Sequence, residues 1–250
     1  MACLVFLILL CSSSLYAQSN SSNSLVKQLI KEVDEMYRSE SSYSELEMEI
    51  ITPHWQRTLA MYGWSEGQEK TFIRITSPKK EKGVTTLRIE NEMWNYLPKT
   101  DKVMKIPPSM MMSSWMGSDF TNDDLVKEFS LFDDYTYDLI HPEGEPDSLH
   151  YINCIPNEGV PVVWNNIVIG ARKNDHIPVW QKYYDEKGKL MRLMRYSDVT
   201  DFGGRLIPAV MEMIPQNKEG HKTSIKYLKL EFDINPDKGV FSLRNLQSKN

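Results

Sequence analysis

The feature that most constrains this chain is a two-residue alternation that recurs along most of its length. In the stretch after Ser42, Leu46, Met48 and Ile50 alternate with Glu45, Glu47 and Glu49. An extended strand places these two sets on opposite faces, one apolar and one acidic, whereas a helix would mix them. The same pattern predicts strands at 43–52, 56–65, 69–77, 84–90, 92–97, 102–106, 135–140, 148–155, 161–171, 177–184, 189–197, 205–214 and 222–232.

The links between these segments are short and turn-like: Pro98-Lys99-Thr100-Asp101, Asp185-Glu186-Lys187-Gly188 and Asn217-Lys218-Glu219-Gly220. Turns of this kind make antiparallel hairpins. Strand-helix alternation is missing from the pattern, which disfavours parallel α/β folds and their nucleotide crevices. Twist accumulates across so many strands, so the expected fold is mainly β: one large antiparallel sheet that is strongly curved or forms an incompletely closed β-barrel.

Two stretches break the alternation. Ser24 stands as N-cap before LVKQLIKEVDEMY, where Leu25, Val26, Leu29, Ile30, Val33, Met36 and Tyr37 fall at helical spacing and predict an amphipathic helix. Between two strand regions, residues 107–130 read PPSMMMSSWMGSDFTNDDLVKEFS. Pro107 and Pro108 end a strand, Met110 to Met116 make a dense apolar patch around Trp115, and Thr121 can cap a helical turn through DDLVKE. Together with the first helix, this insertion can serve as a helical lid over an open barrel end.

Residues 1–17, MACLVFLILLCSSSLYA, carry no charge and hold an apolar run from Leu4 to Leu10, too short to span a bilayer at about 20 residues. They read as a signal peptide cut before Gln18, with 18–250 as one exported domain. Leu10 precedes Cys11 where lipid attachment wants a small residue, which argues against lipidation there. Cleavage would leave only Cys154, so neither an internal disulfide nor a thiolate metal cluster is expected. The 29 basic and 34 acidic residues give a net charge of −5, without the positive excess that nucleic-acid binding requires.

Catalytic and metal patterns have simpler structural readings. Gly63-Trp64-Ser65-Glu66-Gly67 fits G-x-S-x-G, but the nucleophile elbow needs a strand-to-helix turn, and the strand pattern that follows places the match on a hairpin turn. His54, His141, His150, His176 and His221 lack metal-ligand spacing, and the loop His141 to Asp147 is rich in Pro and Gly. Asp123-Asp124 suits a helix N-terminus, and Asp133-Asp134 is an adjacent pair whose carboxylates rarely converge. No cofactor, metal or covalent chemistry is expected.

The segment Ser114-Trp115-Met116-Gly117-Ser118-Asp119-Phe120-Thr121-Asn122-Asp123-Asp124-Leu125 resembles the hallmark of a bacterial family related to outer-membrane lipoprotein-sorting proteins, in the branch of the uncharacterised treponemal protein domain. Trp94-Asn95-Tyr96-Leu97-Pro98, Ile177-Pro178, Tyr183 to Gly188, Ile207-Pro208 and Phe241-Ser242 agree in order, so the resemblance covers most of the chain after residue 17. It implies a half-open barrel under a helical lid, with an apolar cavity for lipoprotein acyl chains or other lipids on their way to the outer membrane. An inner-membrane transporter would be a partner, and a monomer is expected. The cavity and lid candidates are Trp55, Trp64, Trp94, Tyr96, Met110, Met111, Met112, Trp115, Met116 and Phe120. Fourteen methionines suit a deformable lining for variable chains. A gating arginine implied by the resemblance has Arg57, Arg74 and Arg88 as candidates, all on predicted strands that could equally face solvent. The competing readings are a lipid hydrolase using Ser65 and a non-catalytic periplasmic adaptor of an envelope transporter.

Overall fold

The computed structural model describes residues 23–126, 130–160, 163–237 and 239–248; the expected signal segment lies outside them. Residues 23–35 form helix α1. The strands are β1 (Ser41–Ile51), β2 (Gln56–Glu66), β3 (Lys70–Ser77), β4 (Thr85–Ile89), β5 (Glu92–Leu97), β6 (Lys102–Lys105), β7 (Tyr135–Ile140), β8 (Leu149–Pro156), β9 (Asn166–Arg172), β10 (Pro178–Tyr184), β11 (Leu190–Phe202), β12 (Arg205–Pro215) and β13 (Lys222–Phe232). Each predicted strand is present. The main departures are at ends: β9 starts at Asn166 rather than 161, and β11 runs on to Phe202.

All thirteen strands belong to one antiparallel sheet, in the order β6-β5-β4-β3-β2-β1-β13-β12-β11-β10-β9-β8-β7. The chain therefore starts in the middle of the sheet, meanders out to β6, crosses to the opposite edge at β7, and meanders back until β13 pairs with β1. That crossing is the insertion. It contains turns of 3-10 helix at Pro108–Met110 and Trp115–Gly117, then α2 (Asn122–Val126) and α3 (Leu131–Asp134). The edge strands β6 and β7 do not pair, so the sheet is not closed into a barrel.

Register decides which side chains meet. Ile152, Ile169, Gln181, Met194, Met213, Thr223 and Ile50 are successive partners across seven strands and therefore share one face, here called the inner face. Helix α1 buries Val26, Leu29, Ile30 and Val33 against one end of it, among Ile152, Cys154, Trp164, Ile167 and Ile169. The insertion covers the other end, where Trp115 and Ile106 pack with Met48, Ile50, Leu59, Met61, Ile75 and Met93. Each fully buried side chain of this size contributes about 1.5–3 kcal/mol by leaving water.

The outer face has a cover of its own. Tyr43, Trp64, Phe72, Leu87 and Trp94 are successive partners from β1 to β5, and Val240, Phe241 and Leu246, the last on α4 (Leu243–Leu246), pack over this area. Arg74 Nη2 donates to Asn245 O (2.7 Å) and Ser248 Oγ (3.0 Å), tying the C-terminal segment down.

Candidate functional site

The inner face is the candidate site, and its lining comes from the alternation itself. Met48, Met61, Met93, Met194, Met211 and Met213 all project from strands onto this face, in line with Ile225, Ile207 and Leu230. These strand methionines escaped the sequence reading, which looked for them in the insertion. A signal was present in β1, where Met48 occupies the apolar half of the alternation.

Between the two apolar ends stands a band of tyrosines. Tyr183 and Tyr196 lie on the inner face of β10 and β11, and Tyr227 lies on that of β13, where Tyr37 stacks on it with ring centroids 5.8 Å apart. Tyr183 donates to Gln181 Oε1 (2.5 Å), and Tyr37 donates to Pro208 O (2.7 Å). Burial pushes the phenol pKa values of Tyr37, Tyr183 and Tyr196 far above their ordinary value, yet all three side chains keep some accessible surface. All three phenols therefore stay protonated and neutral at physiological pH. Cys154, in the floor under α1, is a free thiol that burial raises to about 12, so it is protonated and inert at neutral pH.

The insertion is strapped over the inner face by polar contacts to several strands. Trp115 Nε1 donates to Thr86 Oγ1 on β4 (3.1 Å). Arg57 on β2 donates to Met116 O and pairs with Glu81 (3.2 Å). Asp119 N donates to Thr223 Oγ1 on β13 (2.9 Å), and that hydroxyl donates back to Asp119 Oδ2 (2.8 Å). Arg192 on β11 holds the Asp124 carboxylate at 2.9 and 3.0 Å. Thr121 caps α2 as expected: its hydroxyl accepts from Asp124 N (3.1 Å), while Asp124 Oδ2 accepts from Thr121 N (2.7 Å).

A strained turn sits where Arg57 takes hold. Met116 and Gly117 have φ of 51° and 75°, and a Cβ at Gly117 would lie 3.3 Å from Arg57 Nη2. Glycine is thus favoured by backbone sign, and a side chain there would press on the guanidinium.

The ten sequence candidates do not line one cavity. Trp115 is 4% exposed and, with Met111 and Met116, packs on the inner face. Met110 and Met112 are 46% and 57% exposed, because three consecutive residues of a turn point in different directions. Phe120 is half-buried, and its carbonyl accepts from Trp115 N (2.8 Å). Trp55 lies on the β1–β2 turn, 45% exposed, beside Arg57. Trp64, Trp94 and Tyr96 belong to the outer face under the C-terminal segment. The error has a physical origin: alternation separates two faces but does not say which is inside, and in β2 to β5 both are covered.

Of the two orientations open for Arg74 and Arg88 in the sequence, the structure shows the buried one, Arg74 on the outer face and Arg88 on the inner one beside Met93. One expectation is corrected as well. Gly63 to Glu66 lie within strand β2, and only Gly67 reaches the turn; Ser65 Oγ lies 2.6 Å from Ser42 Oγ on the neighbouring strand. Among the described residues no group of three or more His, Cys, Asp or Glu could hold a metal, and no helix is long and apolar enough to cross a membrane.

A family model described as an uncharacterized protein family matches residues 67–248, well over half of the chain. The chain belongs to that family. No curated protein matches it. Among solved structures, a DUF1329 family protein from Desulfovibrio piger is 24% identical with a TM-score of 0.77, the alignment covering 89% of this chain and 98% of that one. An outer-membrane lipoprotein-sorting protein domain from Vibrio parahaemolyticus is 20% identical with a TM-score of 0.72, over 89% of this chain and 97% of its own. A LolA superfamily protein from Nitrosomonas europaea is 19% identical with a TM-score of 0.71, over 88% and 98%. This chain therefore shares the fold of those structures, the fold that the resemblance at 114–125 implied.

Proposed function

We propose that this protein is a periplasmic carrier that shelters lipoprotein acyl chains or other lipids against its inner face on the way to the outer membrane, without covalent chemistry. The observation that carries this reading is the inner face itself. It is a methionine-rich apolar surface crossed by a band of tyrosines and covered by a strap that the sheet ladder does not need. Methionine side chains re-pack around chains of different length and shape. The shared fold supports the same reading.

Arg57 is the gating arginine in this proposal. Its guanidinium joins β2, Glu81 and the strained turn at Met116, so one residue couples the strap to the rim. Arg57 Nε and Glu81 Oε2 are buried without a hydrogen-bond partner, and an orphaned polar atom costs about 1–3 kcal/mol. The clasp is thereby weakened enough to be released when cargo enters. Export through residues 1–17, a single domain over 18–250 and delivery from an inner-membrane transporter complete the proposal.

The test is direct. Delipidated protein is mixed with a bacterial lipid extract, repurified and examined by native mass spectrometry. Retained species with lipid masses support the carrier; protein that emerges with nothing bound points to an adaptor and ends the carrier reading.

A further inference from the structure

We infer that the open edge of β7 is a docking site for an extended, basic segment of another protein, which would add to the sheet as a further strand. This inference does not rest on the lipid reading. The sheet has two free edges, and they are protected differently. Strand β6 is only four residues long, with Lys102 and Lys105 at its ends, a pattern that discourages further pairing. Strand β7, Tyr-Thr-Tyr-Asp-Leu-Ile, is longer, rich in β-forming residues, and carries no lysine or proline.

The backbone groups on the open side can be named from the register. Asn157 N donates to Asp134 O (2.8 Å), the first rung joining this segment to β8. Rungs alternate in an antiparallel pair, so Thr136 opposite Ile155 and Asp138 opposite Asn153 bond towards β8, while Tyr135, Tyr137 and Leu139 turn their N–H and C=O outward. Pro156 opposite Tyr135 agrees, since proline has no N–H to give to a rung. A cavity of about 510 Å³ runs beside these residues, lined by Phe132, Asp133, Tyr135, Thr136, Tyr137, Asp138 and Asn157. Four consecutive residues of a strand can line one cavity only if it lies along the strand's edge, because the two faces alternate.

The chemistry of the groove selects the occupant. Its charged lining residues are Asp133 and Asp138, both exposed, and none of its lining residues is basic. The rings of Phe132 and Tyr137, stacked with centroids 6.4 Å apart, offer an apolar wall. An incoming strand alternating basic with apolar residues would satisfy the outward backbone groups, the two carboxylates and that wall together.

The probe is a fluorescein-labelled eight-residue peptide alternating lysine and valine, titrated onto the full chain by fluorescence anisotropy, with amide hydrogen exchange followed in parallel. Binding should protect the amides of Tyr135, Tyr137 and Leu139. N-methylation of alternate peptide residues, which keeps the side chains but removes donors, should weaken binding at least tenfold, and so should Asp138→Arg on the exposed side of β7. An N-methylated peptide that binds as well as the parent, or protection appearing elsewhere, overturns the inference. A dimer that forms at high protein concentration and is lost in Asp138→Arg also overturns it, since the edge would then serve a second copy of the chain.

Discussion

Replacing Trp115 with alanine tests whether the strap is a separate opening unit or part of the core. Its indole is almost wholly buried among Met48, Met61 and Met93, and its N–H reaches Thr86. Truncating a buried tryptophan costs about 3–5 kcal/mol. If the strap opens independently of the sheet, that loss falls on the closed strap alone, and the fold loses no more than the strap's own closing free energy. With a closing free energy of about 1 kcal/mol, the strap simply stands open in the variant: amide exchange across 107–126 should rise by about fivefold, at 1.4 kcal/mol per decade, and the urea midpoint should shift by less than about 0.5 M. Were Trp115 integral to the global core, the full 3–5 kcal/mol would appear in unfolding; with a urea slope of about 2 kcal/mol/M this is a shift of about 1.5–2.5 M. A midpoint drop of that size, with exchange at 107–126 no faster than elsewhere in the sheet, refutes the strap as a moving part. Binding of a fluorescent fatty acid to the same variant adds a functional reading: loss of the indole should weaken retention by about ten- to a hundredfold if cargo contacts it.

Three further outcomes follow from particular contacts. Arg57→Leu should destabilise the protein by about 1–3 kcal/mol, because Glu81 is left buried without its partner, and the double variant with Glu81→Leu should recover part of the loss in thermal unfolding. Gly170→Ala should cost about 1–3 kcal/mol, since its Cβ would lie 2.6 Å from the Trp180 ring; pairing it with Trp180→Val should relieve the clash, and failure of that rescue would place the strain in the backbone instead. His150 has its pKa lowered from 6.5, first by burial and then by His176, Lys173 and His141. A base with a depressed folded pKa binds fewer protons than the unfolded chain, so its contribution is present above pH 6.5 and lost as pH falls through the folded value. Denaturation of wild type should therefore show a loss of stability below about pH 6.5 that is smaller in His150→Gln; equal slopes in the two proteins would contradict this.

The sequence by itself determined the strand set, the first helix and the cap at Thr121, because each is written in contacts between near neighbours. Alternation over a few residues suffices to make a strand, and Asp124 three residues after Thr121 suffices to cap a turn. The segment 114–125 also carries the resemblance that implies the observed fold. What only the tertiary structure decided is sidedness and closure. Trp64, Trp94 and Tyr96 are as apolar as Met61 and Met93, but only long-range register, together with the C-terminal cover of Val240, Phe241 and Leu246, puts the first three outside and the methionines within. The clasp of Arg57 on Met116 joins residues 59 positions apart, and Arg192 finds Asp124 across 68. No local pattern carries those pairings. They exist because the insertion must span from β6 to β7 across the inner face, which brings its carbonyls and carboxylates past the rims of strands far away in the chain.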